Sequence, residues 1–295
     1  MTNRFVAIGE CMVEMAPAEN GLYSMGFAGD TFNTCWYLRR QRPDWAVDYV
    51  TAVGRDAVSD RMVSMLADAG LGTEHVQRRD DRTVGLYMIE LQDGERSFSY
   101  WRGQAAARLL AEDAAPLARA FEGAGIVYFS GITLGVLEGQ GRKVLLEQVA
   151  QARAAGCKVA FDSNLRPRLW DSETQMCDAV MEAASVADIV LPSYDDEAAY
   201  FGDDGPQGTM QRYLDAGVSC VVVKNGGGPV EYIDNGTRGQ FTPQAAARVV
   251  DSTAAGDSFN AGFFAALDHG VAAGVEAGSA LAGKVIQGRG ALVDV

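Results

Sequence analysis

The chain is short of the side chains that metal and acyl chemistry most often use. It has two histidines, His75 and His269, far apart in sequence. A histidine-based metal site or a Ser–His–Asp triad is therefore disfavoured. The five cysteines (Cys11, Cys35, Cys157, Cys177 and Cys220) are odd in number, scattered and never spaced as Cys-x-x-Cys. They read as free, mostly buried thiols of a reducing cytoplasm. No run of 18 apolar residues is present, so no membrane-spanning helix is expected. The first fifteen residues carry Glu10 and Glu14 and lack a basic-then-apolar leader pattern. Positive charge is scarce too: 25 Lys and Arg stand against 39 Asp and Glu, for a net charge of −14. Nucleic acids and anionic membranes are poor partners for such a chain. Two nucleotide fingerprints are missing as well. No Gly-Lys-Ser/Thr follows the glycines at 226–228, and no Gly-x-Gly-x-x-Gly opens a helix after the first strand.

What remains is a globular chain of 295 residues with 48% hydrophobic content, enough for one large α/β domain or two small ones. Residues 5–9 read as the first strand. Beyond residue 120, apolar strands at 126–129, 158–162, 188–191 and 218–224 alternate with helical runs at 144–155, 174–184 and 208–216. That order predicts a parallel sheet with helices on both faces. Ligands of such sheets bind beyond the carboxyl ends of the strands. Asp162, Pro192-Ser193 and Lys224-Asn225-Gly226 follow such ends.

One segment breaks the pattern. Two strand-like runs, 84–91 and 96–102, flank Asp93-Gly94, a strong signal for a two-residue hairpin turn. That turn sets partners that sum to 187, so Tyr87 faces Tyr100, Ile89 faces Phe98 and Gly85 faces Arg102. Period-two alternation then puts Tyr87, Ile89, Phe98, Tyr100 and Arg102 on one face. Such a wall suits a small, polar, anionic ligand; it equally suits an aromatic face packed on the core, with Arg102 snorkelling.

The most informative stretch is Asp251-Ser252-Thr253-Ala254-Ala255-Gly256-Asp257, followed by Phe259, Phe263 and Leu267 at four-residue spacing. Small residues leading into a helix start expose backbone N–H groups at the positive end of the dipole, a site for phosphate. Asp257 at its mouth is either an N-cap or a base that takes a proton from a nucleophile attacking that phosphate.

This stretch resembles the Asp-Thr-x-Gly-Ala-Gly-Asp signature of the ribokinase-like (PfkB) carbohydrate kinases, with Ser252 in the place of Thr and alanines at 254–255 where the pattern is richer in glycine. Gly26-Phe27-Ala28-Gly29-Asp30-Thr31-Phe32-Asn33 is similar to the family's N-terminal sugar-contacting segment, though Gly-Asp with Asn is also ordinary turn chemistry. Asp162-Ser163-Asn164-Leu165-Arg166-Pro167, with Leu169-Trp170, resembles the family's Asp-x-Asn-x-Arg element; Asn164 and Arg166 alternate and so are expected to point the same way. Ser193 and Asp196 fall where the family has Asn-x-x-Glu, and an acid-rich helix start is the equal alternative there. Lys224, Gly226 and Gly228 fall where the family lines its ATP site. Glu14 falls where many members carry a sugar-binding Asp.

The resemblance spans 9–291 and implies a three-layer α/β fold with a mostly parallel central sheet and a small β-sheet lid. The expected core is 1–10, 31–82 and 104–295, and the expected lid is 11–30 and 83–103. Gly9-Glu10-Cys11-Met12, Tyr100-Trp101-Arg102 and the 162–170 motif are closest to members acting on 2-keto-3-deoxygluconate. The implied activity is ATP-dependent phosphorylation of that sugar acid's 6-hydroxyl. The alternatives are another acceptor (2-keto-3-deoxygalactonate, fructose, ribose or a nucleoside) or a silent sensor on the same fold. The implied catalytic group is Asp257 as base, with the amides of Ala254, Ala255 and Gly256 and with Arg166. Gly29, Asp30, Thr31, Asn33, Tyr87, Tyr100, Arg102 and Arg166 would hold the sugar. Asn164, Ser193, Lys224, Gly226, Gly228, Ala255 and Gly256 would hold ATP. Asp196 or Glu197 would assist Mg²⁺, and Asp251 a monovalent cation such as K⁺. Pairing of exposed lid edges would make a homo-oligomer, a dimer through the lid or larger.

Overall fold

This computed structural model describes residues 3–92 and 95–295. Alternation along the strands divides their buried residues between two apolar layers. In the strand Ile126–Ser130, Ile126 and Tyr128 face one layer while Val127 and Phe129 face the other. A strand buried on both faces needs apolar residues on both, which is how 126–129 reads before Ser130 caps the next helix.

The strands are β1 (Arg4–Ile8), β2 (Met12–Pro17), β3 (Tyr23–Ala28), β4 (Ala46–Val50), β5 (Ala52–Val53), β6 (Gln77–Arg78), β7 (Leu86–Gln92), β8 (Glu95–Trp101), β9 (Ile126–Ser130), β10 (Lys158–Asp162), β11 (Ile189–Val190), β12 (Cys220–Val223), β13 (Val230–Asp234) and β14 (Thr237–Phe241). The α-helices are α1 (Asp30–Gln41), α2 (Ala57–Asp68), α3 (Ala114–Phe121), α4 (Gly131–Val136), α5 (Gln140–Ala154), α6 (Glu173–Ser185), α7 (Tyr194–Phe201), α8 (Gly205–Asp215), α9 (Ala255–Ala266) and α10 (Val271–Val285).

Eight strands form the central sheet in the order β14-β13-β12-β11-β10-β9-β1-β4. It is parallel from β12 to β4, and β13 and β14 add an antiparallel edge. Leu117, Leu145, Val149, Met176, Val180 and Tyr213 from α3, α5, α6 and α8 cover one face. Phe32, Met62, Phe263 and Val275 from α1, α2, α9 and α10 cover the other. The three-layer α/β architecture expected from the sequence is therefore present. None of the described helices is long and apolar enough to cross a membrane.

The chain that leaves β1 and the hairpin segment build a second sheet, β3-β2-β7-β8. Tyr87 pairs with Tyr100 and Ile89 with Phe98, the expected register; the turn at 93–94 lies outside the described residues. β2 runs parallel to β7 and antiparallel to β3, so both segments expected to form the lid enter one sheet.

Two helices hold the loop at 251–257 in place. α9 and α10 pack backbone to backbone, because a Cβ on Gly262 would lie 2.8 Å from Gly278 Cα. α1 crosses α9 from the other side, and Thr34 Oγ1 donates to the Asp257 carbonyl at 3.2 Å.

Candidate functional site

A cavity of about 830 Å³ opens at the carboxyl ends of the central strands. Its wall takes Glu10 and Met12 from the end of β1 and the start of β2, and Gly29 and Asp30 from the entry to α1. Phe98, Tyr100, Arg102 and Arg108 come from β8 and the segment after it. Asp162, Asn164, Arg166, Arg168, Ser193, Asp196 and Lys224 follow the ends of β10, β11 and β12, and residues 252–257 complete it. A second groove of about 890 Å³, between β2–β3, α2 and residues 289–292, contains none of the central-strand-end residues.

Asp257 is not the N-cap. That place is held by Ala254 at φ 58°, ψ 17°, a left-handed conformation that favours glycine. Asp257 is the third residue of α9, and its Oδ2 accepts from Asn33 Nδ2 at 2.8 Å. Burial, and then the charge of Asp30, push its carboxyl up to about 7; the Asn33 bond and Lys224 pull the other way. A carboxyl near neutrality in a cleft is suited to proton transfer.

The expected anion cradle is smaller than four amides. The Ala255 N–H is spent on the Ser252 carbonyl at 3.1 Å. The N–H groups of Gly256 and Asp257 have no hydrogen bond among the described residues. Lys224 adds a fixed cation close by. Its Nζ is 2.8 Å from Asp162 Oδ2 and 3.3 Å from Asn260 Oδ1, and Asn260 in turn donates to Asp162 at 2.6 Å and to the Tyr128 hydroxyl at 3.0 Å. Asn260 lies one turn after Asp257, so this buried network ties β10 and β12 to α9.

Several residues sit where sequence reasoning expected, with other partners. Asp30 is buried, accepts from Asn164 Nδ2 at 2.8 Å, and has its carboxyl raised by that burial. Asn164 adopts φ 30°, so the alternation expected of an extended 164–166 breaks there. Asn164 turns to Asp30, while Arg166 donates to the Leu165 carbonyl at 2.6 Å and lies 3.7 Å from Asp196. Asp196 lines the cavity, its carboxyl raised mainly by burial and drawn down by Arg166. Arg102 lines the cavity but is ion-paired with Glu10, a residue the site reading passed over. Burial raises the Glu10 carboxyl, and Arg102 opposes this.

Other expectations need correction. Glu197 cannot reach a metal in the cavity: it is fully buried, with Arg212 at 2.6 Å and the Tyr213 hydroxyl at 3.0 Å. Asp251 accepts from Thr253 N at 3.0 Å, Thr253 Oγ1 at 2.7 Å and Gly290 N at 2.7 Å, so it is tied into a turn outside the cavity wall. Among the described residues, no cluster of three or more His, Cys, Asp or Glu could hold a metal. Thr31 is fully buried with its hydroxyl 3.2 Å from that of Tyr49. Tyr87 is turned from the cavity to Glu14, which takes its hydroxyl, and Tyr100 alone of the two tyrosines lines the wall. Gly226 and Gly228 lie outside the wall. Gly29 does lie in it, but a Cβ there would collide with the Glu10 carbonyl, so chain packing already demands glycine.

Glu10, Arg108, Arg168 and Asn260 were not among the site residues read from the sequence. Glu10 follows the end of β1, so the strand-end rule that flagged Asp162 and Lys224 reaches it too. Arg108 had no such mark.

A model of the pfkB family of carbohydrate kinases matches residues 2–294. A 2-dehydro-3-deoxygluconokinase of Haemophilus influenzae is 35% identical over 296 residues, covering 97% of this chain and 94% of that protein. Another of that name, from Dickeya dadantii, is 38% identical over 304 residues, covering 99% and 98%. The crystal structure of a fructokinase with bound ATP from Xylella fastidiosa superposes with a TM-score of 0.85 at 24% identity, over 99% of this chain and 94% of that one.

Proposed function

Because this chain belongs to the pfkB family of carbohydrate kinases, we propose that it transfers the γ-phosphoryl group of ATP to the 6-hydroxyl of 2-keto-3-deoxygluconate. The observation that carries the reading is Asp257, a half-buried carboxyl near neutrality beside unengaged amides at the start of α9. Relatives named for this sugar acid at 35% and 38% identity over nearly the whole chain support the substrate.

The step is a direct displacement. The acceptor oxygen forms a bond to the γ-phosphorus as the bond to the ADP oxygen breaks. Asp257 takes the hydroxyl proton, and Asn33 holds its carboxylate in aim. The Gly256 and Asp257 amides and Lys224 face the charge on the transferring group. Arg166, half exposed on its loop, stands to clamp the reacting end. Gly29 and Asp30 border the sugar, and Tyr100 and Arg102 its carboxylate end. The four-stranded sheet closing over the cleft would exclude water and suppress ATP hydrolysis. Mg²⁺ arriving with the nucleotide supplies neutralisation of phosphate oxygens. Asp196 is a carboxylate of the wall that would be available to its water shell.

The pairing of Arg102 with Glu10 favours a second reading, a neutral sugar as acceptor. Initial rates with MgATP and 2-keto-3-deoxygluconate, its galacto epimer, gluconate, fructose and ribose separate the two. The sugar-acid reading expects kcat/KM at least about a hundredfold higher for the keto-deoxy acid than for fructose, about 2.7 kcal/mol of transition-state preference. Faster turnover of fructose or ribose refutes it and leaves the kinase.

A further inference from the structure

The sugar-acid reading asks the cavity to attract a carboxylate, and Arg102 alone does not supply the charge. Its partner Glu10 has a side chain only 1% exposed, so the two charges cancel within the wall. The pair still leaves Arg102 Nε and Glu10 Oε1 buried without a hydrogen-bond partner among the described residues. A donor and an acceptor in that state suit a polar ligand.

The next cation in the wall is Arg108, on the short 3₁₀ turn Ala106–Leu109. Its one side-chain hydrogen bond among the described residues runs from Nε to Glu138 Oε1 at 2.9 Å. Glu138 Oε1 also takes Arg82 Nη1 at 3.3 Å, so two guanidiniums share one carboxylate. The Arg108 charge reaches Glu10 as well, helping Arg102 to favour its ionised form. Arg82 and Arg108 against the single Glu138 carboxylate leave one positive charge over at that corner of the wall, on a protein of net charge −14, while Glu10 faces Asp30 as well as Arg102. Arg102 and Arg108 are the two of these cations that line the wall.

We propose that Arg108 is a specificity-determining residue: it supplies the unbalanced positive charge that draws an acceptor's carboxylate onto Arg102 Nε, while Glu10 Oε1 accepts from a neighbouring hydroxyl. The proposal rests on the sugar-acid reading. It makes Arg102 a geometric guide and Arg108 the source of preference for an anion over a neutral sugar.

The test compares 2-keto-3-deoxygluconate with 3-deoxyfructose, which has a hydroxymethyl group where the acid has its carboxylate. Arg108→Gln should raise KM for the acid about tenfold, the size of a charge–charge attraction across a partly solvated cavity, with kcat within about twofold. KM for 3-deoxyfructose should stay within about twofold. Arg108→Lys should restore most of the acid KM. Glu138→Gln breaks the same ion pair but keeps the cation, and should not raise the acid KM. An unchanged acid KM in Arg108→Gln, no rescue by Lys, or an equal loss in Glu138→Gln each overturns the role of Arg108. Should the Gln variant not fold, the wild-type protein still decides. Its acid KM must rise with ionic strength while its 3-deoxyfructose KM does not, and a salt-insensitive acid KM overturns the proposal. A wild-type preference for the neutral sugar refutes the sugar-acid reading, and this proposal with it. A wild-type preference for the acid that is undiminished in Arg108→Gln refutes only this proposal.

Discussion

Replacing Asn33 by Ala should move the pH dependence of the reaction in a direction fixed by one hydrogen bond. Asn33 Nδ2 donates to Asp257 Oδ2 at 2.8 Å and so favours the ionised carboxylate, against the burial and the Asp30 charge that raise it to about 7. The charged groups facing Asp257 are Asp30 on α1, Asp162 on β10 and Lys224 after β12. A hydrogen bond to a charged group contributes about 1.5 kcal/mol, and about 1.4 kcal/mol is one pKa unit. Losing it should raise the Asp257 carboxyl from about 7 to roughly 8. At pH 7 the ionised fraction then falls from about one half to about one tenth, a loss of roughly fivefold. The assay is kcat/KM for the acceptor from pH 5.5 to 9.5 at saturating MgATP, which reports ionisations of the enzyme before the acceptor binds. Wild type should lose activity with unit slope below about pH 7. Asn33→Ala should show the same limb near pH 8, with an alkaline plateau lowered only by the looser aim of Asp257. A variant that lowers the plateau but leaves the limb near 7 would show that Asn33 positions without tuning. A wild-type profile flat down to pH 5.5 would refute Asp257 as the base.

Asp257→Asn should lower kcat by about 10² or more with little change in ATP binding, measured by isothermal titration. The same change should raise Tm at pH 8. A carboxyl raised on folding contributes stability that is full below about pH 4 and lost as pH rises through about 7, so the gain from Asn should fade towards pH 4 in thermal scans. Arg102→Ala leaves Glu10 buried without its cation; it should cost about 3 kcal/mol by denaturant unfolding and raise KM for the acid more than for 3-deoxyfructose. Glu197→Ala should destabilise by a comparable amount, about 3 kcal/mol, since it strips Arg212 and Tyr213 of a buried partner. Its Mg²⁺ requirement should match wild type, and a raised requirement would restore Glu197 to the metal site.

Local pattern carried much of the fold. Apolar runs of strand length separated by helical runs marked β9 to β12 and helices between them, and Asp93-Gly94 marked the register in which β7 pairs with β8. A second such signal went unread. Asn235-Gly236, with φ 45° and 85°, turns β13 into β14 and adds the antiparallel edge of the central sheet. Asn164 defeated the alternation argument because one positive φ redirects everything after it, and asparagine tolerates that conformation without advertising it.

The sequence by itself determined the fold class and the helix start near 254–257 that carries Asp257 in its first turn. Those are properties of short segments, in which period, cap and turn chemistry act over a few residues. Tertiary structure decided the partners. Asn33 meets Asp257 across 224 residues, Glu10 meets Arg102 across 92, and Lys224 meets Asp162 across 62. The same packing gave Glu197 the donors Arg212 and Tyr213, and Asp251 the donors Thr253 and Gly290. Whether a charge is free for a ligand or already compensated depends on which other charge lies within a few ångströms. That distance is set by the packing of whole layers and has no signature in the spacing of residues along the chain.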